Sequence, residues 1–422
     1  MDLSDRMLEF LRRERLCPAC FALPDEVERL QKEMRRGLAG EKSSLYMIPT
    51  FLGTDADAPE NGTVIVLDAG GTNLRVGTVT FQDGCAKDVR FEKCPLPGTD
   101  APLTAEAFFD RLAEKLAPYL DAGDRIGFCF SYVAECQENR DARIVAFCKE
   151  VTITGAEGLE ICASLDAAIK RRGVKRTYRY VQLNDTVAAL LGGLAITAKD
   201  PYDDCIGFIL GTGTNCCYSE RTENIKKYKG TAYRRETMII NMESGCYDGF
   251  AGGEIDRAVD AASAIPGDHP AEKLISGAYL GKILAAAVKK AAAEGLLSAS
   301  VDTDEIPPWE MNAFLAGEKS LLDTLPDDDH AALRAIIDGV LGRTARLLAA
   351  TFTAIALHTG KGKKKPICIV MEGSTYQKTP RLQELLAKEL RQVRETYGCV
   401  FEILFAENST LTGAAYAAAT NG

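Results

Sequence analysis

Two short segments rich in glycine and hydroxyl residues follow apolar stretches and have the composition of anion-binding turns. The first, Gly-Gly-Thr-Asn at 70–73, comes after the apolar run 63–67, and the second, Gly-Thr-Gly-Thr at 211–214, comes after 205–210. Glycine allows backbone N–H groups to approach an anion that a Cβ atom would hold away. Phosphate is the anion expected there. Neither segment has the P-loop or dinucleotide-binding pattern, and each alone also suits a purely structural turn.

Two carboxylates stand just after predicted strands. Asp68 directly precedes the first turn, where it suits either a water bound to magnesium or the capping of the turn. Asp185, in Asn184-Asp185-Thr186, lies where an apolar strand meets the start of a helix, a common place for a helix N-cap. The functional alternative is a carboxylate at the carboxyl end of a strand that accepts a proton from a substrate hydroxyl.

Short apolar strands alternate with helical segments, which is typical of an α/β fold. Strands are predicted at 63–67, 75–81, 125–131, 178–183, 205–210, 367–371 and 401–405. Helices are predicted at 24–38, 103–120, 158–172, 185–197 and 327–358, over most of 248–297, and from Thr412 onward. Because 422 residues exceed what one hydrophobic core usually serves, two lobes around a cleft are expected.

The composition is that of a globular protein, with 46% hydrophobic and 26% charged residues. A net charge of -10 disfavours nucleic acid or an anionic membrane as a partner. No run approaches the roughly 18 apolar residues of a membrane span, and the first residues lack a signal-peptide pattern. We therefore expect a cytoplasmic protein with reduced cysteines. Cys17 and Cys20 form a single CxxC without a second pair, which gives little support for a zinc site.

Several short motifs follow one another from about residue 24 to the end of the chain. They are MIPTF (47–51), LDAGGTNLR (67–75), FS (130–131), NDTVA (184–188), GTGTN (211–215), NME (241–243), EKLISGAYLG (272–281) and GST (373–375). In order and spacing they resemble the eukaryotic-type hexokinase family. The resemblance implies a two-lobed actin-like ATPase (ribonuclease H-like) fold, with a mixed sheet in each lobe. The implied domains are a leading helical segment (1–60) joining the large domain, a small domain (61–183), a large domain (184–406), and a C-terminal helix (407–422) returning to the small domain.

The resemblance also implies an activity, the phosphorylation of a hexose at its 6-hydroxyl by ATP. Glucose is the first expectation, with mannose, fructose and glucosamine as further candidates. Asp185 would be the general base, with Lys149 as a second catalytic residue. Residues implied to hold the sugar are Ser131, Cys148, Lys149, Asn184, Asp185, Asn215, Glu243 and Glu272. Residues implied to contact ATP are Asp68, Gly70, Gly71, Thr72, Asn73, Arg75, Thr212, Gly213, Gly373, Ser374 and Thr375.

Magnesium would arrive with ATP and reach the protein only through water, at Asp68. The expected partners are the hexose and ATP, in a monomer or homodimer.

Some positions depart from the family pattern. Phe-Cys-Lys-Glu at 147–150 stands where the family has Trp-Thr-Lys-Gly, so a weakly hydrogen-bonding thiol, Cys148, replaces a hydroxyl. Tyr132 replaces a proline, Ser244 replaces a tryptophan, and the last glycine-rich turn is Asn-Ser-Thr-Leu-Thr-Gly at 408–413. These departures bear on sugar preference and nucleotide affinity. Cys148 is either an oxidant-sensitive thiol or an inert buried one.

Two other functions remain open from the sequence. One is a sugar sensor that binds but does not turn over, although such a protein has no need of Asp185 or of Lys149. The other is an actin-like or Hsp70-like ATPase that acts on a protein partner. That class would explain the phosphate turns but not the sugar-side residues.

Overall fold

The computed structural model describes residues 3–147, 151–197 and 201–421. Its strands are β1 (Ile48–Pro49), β2 (Asn61–Gly70), β3 (Asn73–Gln82), β4 (Cys85–Pro95), β5 (Leu103–Thr104), β6 (Arg125–Phe130), β7 (Val133–Cys136), β8 (Ala142–Ala146), β9 (Ile153–Thr154), β10 (Arg179–Leu183), β11 (Asp204–Leu210), β12 (Thr214–Arg221), β13 (Thr237–Asn241), β14 (Ile367–Glu372) and β15 (Phe401–Leu404). Its helices are α1 (Leu3–Arg13), α2 (Leu23–Ala39), α3 (Ala105–Leu116), α4 (Ile161–Arg171), α5 (Asp185–Ile196), α6 (Glu254–Ala261), α7 (Pro270–Ile275), α8 (Gly277–Ala293), α9 (Pro308–Ala316), α10 (His330–Thr359), α11 (Ser374–Gln377), α12 (Pro380–Tyr397) and α13 (Ser409–Asn421).

The smaller of the two main sheets has five strands in the order β10-β6-β2-β3-β4. Strands β2, β3 and β4 form an antiparallel meander, while β6 and β10 run parallel to β2. Helices α3 and α4 contribute the apolar faces that complete a core around Phe108, Phe128 and Leu165. We call this sheet with α3 and α4 the small lobe.

The larger sheet has six strands in the order β1-β13-β12-β11-β14-β15. Strands β11, β12 and β13 form an antiparallel meander, and β14 and β15 run parallel to β11. Its core includes residues of α1, α2, α8 and α10. We call this sheet with these helices the large lobe. The order of three antiparallel strands followed by two parallel ones is therefore the same in both lobes.

A third core joins the lobes. It contains residues from α5 and α13 together with β2 and β3 of the small lobe and β11 and β14 of the large lobe. The two helices cross closely because Gly413 of α13 lies directly on the Ala188 carbonyl of α5, where an added Cβ would be 1.8 Å from the oxygen. The apolar, small-residue compositions of both helices suit such double-sided burial.

Most sequence-predicted elements are present with shifted ends. The helix predicted over 103–120 starts with the short strand β5, and α3 ends at Leu116 before a 3-10 turn that contains Pro118, because proline removes a helix donor. The last helix starts at Ser409 rather than Thr412. Helix α1 was not predicted. The segment Asp327–Thr359, which includes α10, is long and apolar enough to cross a membrane, but 89% of its most apolar window is buried inside the protein.

Candidate active site

The first glycine turn joins β2 to β3 and exposes Gly71, Thr72 and Asn73 to solvent. Gly71 has a φ of +54°, a left-handed conformation that glycine adopts without strain. The Tyr132 hydroxyl donates a hydrogen bond to the Gly71 carbonyl and so restrains the turn. From the sequence, Tyr132 was only a departure from the family pattern, and its contact with the turn is visible only in the structure.

Asp68 and Ser131 converge on that turn. A Cβ atom added at Gly70 would lie 3.4 Å from Asp68 Oδ1 and 3.6 Å from Ser131 Oγ. Asp68 is 4% exposed, and its Oδ2 accepts hydrogen bonds from Arg75 Nε (3.0 Å) and from Thr410 Oγ1 (2.9 Å). The Arg75 guanidinium is thus paired with Asp68 Oδ2 and balances the charge of this buried carboxylate. Asp68 Oδ1 remains next to the turn.

The second glycine turn joins β11 to β12 and is braced by two helices. Gly277 N at the start of α8 donates to the Gly211 carbonyl (2.8 Å), and Thr375 Oγ1 of α11 donates to the same oxygen (2.8 Å). A Cβ at Gly213 would be 2.7 Å from Glu272 Oε2, so a side chain there would displace the Glu272 carboxylate. Thr212, between the glycines, is exposed, and its carbonyl accepts a hydrogen bond from Ala278 N of α8 (3.2 Å).

Asp185 occupies the first turn of α5, directly after the carboxyl end of β10. Asn184 is the N-cap, and its side chain accepts from Thr186 N (2.9 Å). Asp185 Oδ1 also accepts from Thr186 N (2.7 Å). Burial, and next the charge of Asp68, raise the pKa of Asp185, while hydrogen bonds from Ser131 and Thr186 partly lower it. Capping therefore belongs to Asn184, and Asp185 is a desolvated carboxylate beside a second acid.

A cluster of amides and carboxylates lies near enough to Asp185 for the charge of Asp185 to act on it. Asn215 Nδ2 donates to Asn241 Oδ1 (2.8 Å), and Asn241 Nδ2 donates to Glu243 Oε1 (2.7 Å). Glu272 accepts from Thr214 N (3.0 Å). Burial raises the pKa of Glu243, and the charges of Asp185 and Glu272 raise it further against the hydrogen bond from Asn241. Glu243, Asp185 and Glu272 are therefore close enough to interact electrostatically.

Asn241 was missed as a site residue. It occurs in the Asn-Met-Glu motif, but no role was predicted for it, whereas the structure shows it bonded to both Asn215 and Glu243. The motif itself was the available signal, because Asn241 stands two residues before Glu243, a predicted sugar ligand.

The other predicted residues are placed as follows. Gly373 follows β14 and is the N-cap of α11, and Ser374 starts that helix on the surface, whereas Thr375 is buried and its hydroxyl donates a hydrogen bond to the second turn. A cavity of about 470 Å³ adjoins this corner and is lined by Glu372, Gln377 and Phe405, among others. Cys148 and Lys149 lie outside the described residues, so their roles stay predictions.

Comparison with known proteins identifies the family to which this chain belongs. Family models described as Hexokinase match residues 21–194 and 205–420. Hexokinase-1 of Schizosaccharomyces pombe is 30% identical over 436 residues, which is 94% of this chain and 88% of that protein. Human hexokinase-1 is 30% identical over 409 residues, 88% of this chain but 44% of the human protein, so the chain spans under half of that relative.

The solved structure of a hexokinase from Schistosoma mansoni, complexed with glucose, superposes with a TM-score of 0.76. The two chains are 22% identical, and the match covers 99% of this chain and 100% of that one. The likeness confirms the predicted two-lobed actin-like fold with a mixed sheet in each lobe.

Proposed function

Since this chain belongs to the hexokinase family, we propose that it transfers the terminal phosphoryl group of ATP to the 6-hydroxyl of a hexose, with glucose the first substrate to test. One observation carries the proposal. The Asp185 carboxylate interacts electrostatically with Asp68, beside the first glycine turn, and with Glu243, in the amide and carboxylate cluster. The Asp185 carboxylate is thus near both the first glycine turn, which suits a phosphate, and the amide and carboxylate cluster, which suits sugar hydroxyls.

Asp185 is the proposed general base. Phosphoryl transfer needs positioning and charge stabilisation more than covalent chemistry, and a base that takes the proton of the attacking hydroxyl completes it. An Asp with an ordinary pKa is a weak base at neutral pH, so the raised pKa of Asp185 favours proton acceptance. The Ser131 hydroxyl, which bonds Asp185, would orient the carboxylate toward the sugar.

The two glycine turns are the proposed phosphate contacts, with Thr212 and Gly213 on one side and Gly70 to Asn73 on the other. Magnesium would enter bound to ATP, where it neutralises phosphate charge. Asp68 fits the predicted contact through water, because Arg75 and Thr410 bond its Oδ2 while Oδ1 lies next to the turn. Arg75 then serves to hold Asp68, in addition to its predicted proximity to phosphate.

Asn215, Glu243 and Glu272 are the proposed sugar ligands, with Asn184, Lys149 and Cys148 from the family resemblance. Carboxylates accept and amides both donate and accept, so the cluster can pair with adjacent hydroxyls, which do both. The hydrogen bonds from Asn241 and Thr214 hold Glu243 and Glu272 before a sugar arrives. Such preorganisation reduces the entropy lost on binding.

A coupled assay with ATP and a panel of glucose, mannose, fructose and glucosamine tests the proposal. We expect ADP release that depends on the hexose. Sugar binding measured by calorimetry without turnover would instead support the sensor, and ADP release without sugar would support an ATPase that acts on a protein.

The role of Asp185 is tested with Asp185→Asn, which keeps the size and hydrogen bonding of the side chain but not its basicity. Turnover should fall by about 10²–10⁴-fold, the usual contribution of a general base, while glucose binding is retained. The matched control is Asp304→Asn, whose side chain is fully exposed and should not change turnover. Near-normal turnover in Asp185→Asn would remove that residue from the role of base.

A further inference from the structure

Three potential metal ligands meet beside the amide and carboxylate cluster. Cys246 ends the short 3-10 turn Ser244–Cys246, and Asp268 and His269 directly precede α7. The Cys246 thiol, a carboxylate oxygen of Asp268 and an imidazole nitrogen of His269 all lie within 4.8 Å of one another. Thiolate, carboxylate and imidazole are the three side-chain ligand types that zinc prefers.

The backbone at His269 is left-handed. Its φ is +48° and its ψ is 53°, a region that is uncommon for residues other than glycine but that histidine enters more often than most. Asp268 Oδ1 accepts a hydrogen bond from His269 N (2.9 Å) and lies 3.0 Å from His269 Nδ1. Nδ1 is a buried atom that makes no hydrogen bond of good geometry with the described residues. The loop therefore directs a ring nitrogen at a carboxylate without satisfying it.

Cys246 is the buried member of the three. It is 9% exposed, whereas the Asp268 side chain is 56% exposed, so the three ligand atoms meet where the interior opens to solvent. Cys246 N donates to the Glu243 carbonyl (3.0 Å), which holds this turn next to the amide and carboxylate cluster. A metal ion that enters from solvent would displace the thiol proton to solvent as the metal–sulfur bond forms, and its charge would offset the carboxylate of Asp268.

We propose that Cys246, Asp268 and His269 bind a divalent ion of the zinc type, with a fourth coordination position open. This site differs in its ligand types from the one proposed for magnesium at Asp68, because sulfur and imidazole ligands select zinc over magnesium. Zinc at this position would also attract Glu243 and Glu272, so it should weaken hexose binding. Zinc binding itself does not depend on the proposed kinase function, whereas the effect on the hexose rests on it.

Zinc binding is measured on the metal-free protein, without sugar or ATP, by competition with a chromophoric chelator. We expect one equivalent to bind, with the affinity lowered at least about tenfold in Cys246→Ser, Asp268→Asn and His269→Gly. His269→Gly removes the imidazole but accepts the positive φ, so it guards against loss of folding. Cobalt(II) added in place of zinc should give a thiolate charge-transfer band that Cys246→Ser lacks.

The CxxC pair supplies the control. Cys17 Sγ and Cys20 Sγ are 3.5 Å apart and could hold zinc by themselves, so Cys17→Ser with Cys20→Ser should leave the measured affinity unchanged. The proposal is overturned if the metal-free protein binds no zinc, if Cys246→Ser and His269→Gly bind it as the parent does, or if the Cys17 and Cys20 variant loses it.

A calorimetric titration with glucose, with and without zinc, tests the second part. Weaker glucose binding in the presence of zinc, seen in the parent and absent in His269→Gly, is the expected result. Equal glucose affinity with and without zinc would overturn the inhibitory effect. A protein that binds zinc at these residues but no hexose would refute the proposed function and leave the metal site standing.

Discussion

The crossing of α5 and α13 should not tolerate even one added methyl group. Helix α13 lies between the two sheets, and Gly413 is its point of closest approach to α5. The Cβ of Gly413→Ala would be 1.8 Å from the Ala188 oxygen and 2.6 Å from the Ala188 carbonyl carbon. Both are backbone atoms inside a helix, so no side-chain rotation can relieve the overlap.

The size of the effect follows from these distances. Ordinary contact for such a methyl begins near 3.4 Å, so the helices must separate by up to 1.6 Å (3.4 minus 1.8) or tilt. Alanine improves helix propensity by about 1 kcal/mol relative to glycine. Overpacking of a rigid site usually costs about 1–3 kcal/mol, and more when backbone must move. Because the backbone of α5 or α13 must move, we place the cost above that range, at about 3–5 kcal/mol, and the propensity gain leaves a net loss of about 2–4 kcal/mol in the free energy of unfolding.

The separation of α5 and α13 should also disturb contacts in the proposed active site. Thr410, in the first turn of α13, donates to Asp68, and Ser409 donates to Glu372 beside the second turn. Moving α13 would pull both hydroxyls away. The proposed kinase activity of Gly413→Ala should therefore fall at temperatures where the variant is still folded, with a raised KM for ATP.

The assay is urea unfolding followed by circular dichroism, with Gly193→Ala as the comparison. A Cβ at Gly193 would be 2.2 Å from Val370 Cγ2, which is a side-chain atom. Val370→Ala should therefore offset part of the Gly193→Ala loss in a double-mutant cycle, whereas no side-chain truncation can do so for Gly413→Ala. A Gly413→Ala protein within about 0.5 kcal/mol of the parent would refute this account of the crossing.

Three further predictions concern buried carboxylates. Because the pKa of Asp185 is raised in the folded state, ionisation of Asp185 destabilises the protein as pH rises above the ordinary Asp value, so Asp185→Asn should raise the Tm more at pH 8 than at pH 4. Burial raises the pKa of Asp204 to about 7, so the folded state resists ionisation of Asp204 up to that pH. Asp204→Asn should gain about 2–3 kcal/mol at pH 8 relative to pH 5, measured by thermal melts. Asp141 accepts from Cys162 N (2.7 Å) and Ala163 N (3.0 Å) at the start of α4, so Asp141→Ala should lose about 2–3 kcal/mol in urea unfolding.

Local chemistry was readable from the sequence. Both glycine turns were found because β-branched and apolar runs flank them, and Asp185 was placed correctly at the junction of β10 and α5. Cross-strand register could have added one contact. A hairpin that turns at 70–73 pairs Asp68 with Arg75 on adjacent strands, which is where their ion pair forms.

The convergence of distant segments could not be derived from single-sequence patterns. Ser131 reaches Gly70 because β6 runs parallel to β2, with Asp68 beside Cys129 and Ala69 beside Phe130. Nothing in the spacing of two apolar runs about sixty residues apart specifies that they become neighbours. The same holds for Thr410 of α13, which contacts Asp68 of β2 although the two positions are 342 residues apart in the chain. Only the family resemblance brought such residues together before the structure did.

The common strand order of the two lobes gives the site its arrangement. In each lobe the turn between the first two strands of the meander is a glycine turn, and the last parallel strand is followed by a helix, α5 in one case and α13 in the other. The helices start with related tripeptides, Asn184-Asp185-Thr186 and Asn408-Ser409-Thr410.

Asp185 and Ser409 therefore occupy comparable positions, one as the proposed base and the other as a donor to the carboxylate of Glu372. The residue after Ser409, Thr410, donates to the carboxylate of Asp68, whose charge helps to raise the pKa of that base. No fixed-period repeat marks the sequence, because a strand order and a turn constrain residue types only loosely. The same architecture therefore carries an acid at the start of one helix, α5, and a hydroxyl at the start of the other, α13. The proposed transfer from a phosphate to a sugar requires such an asymmetry.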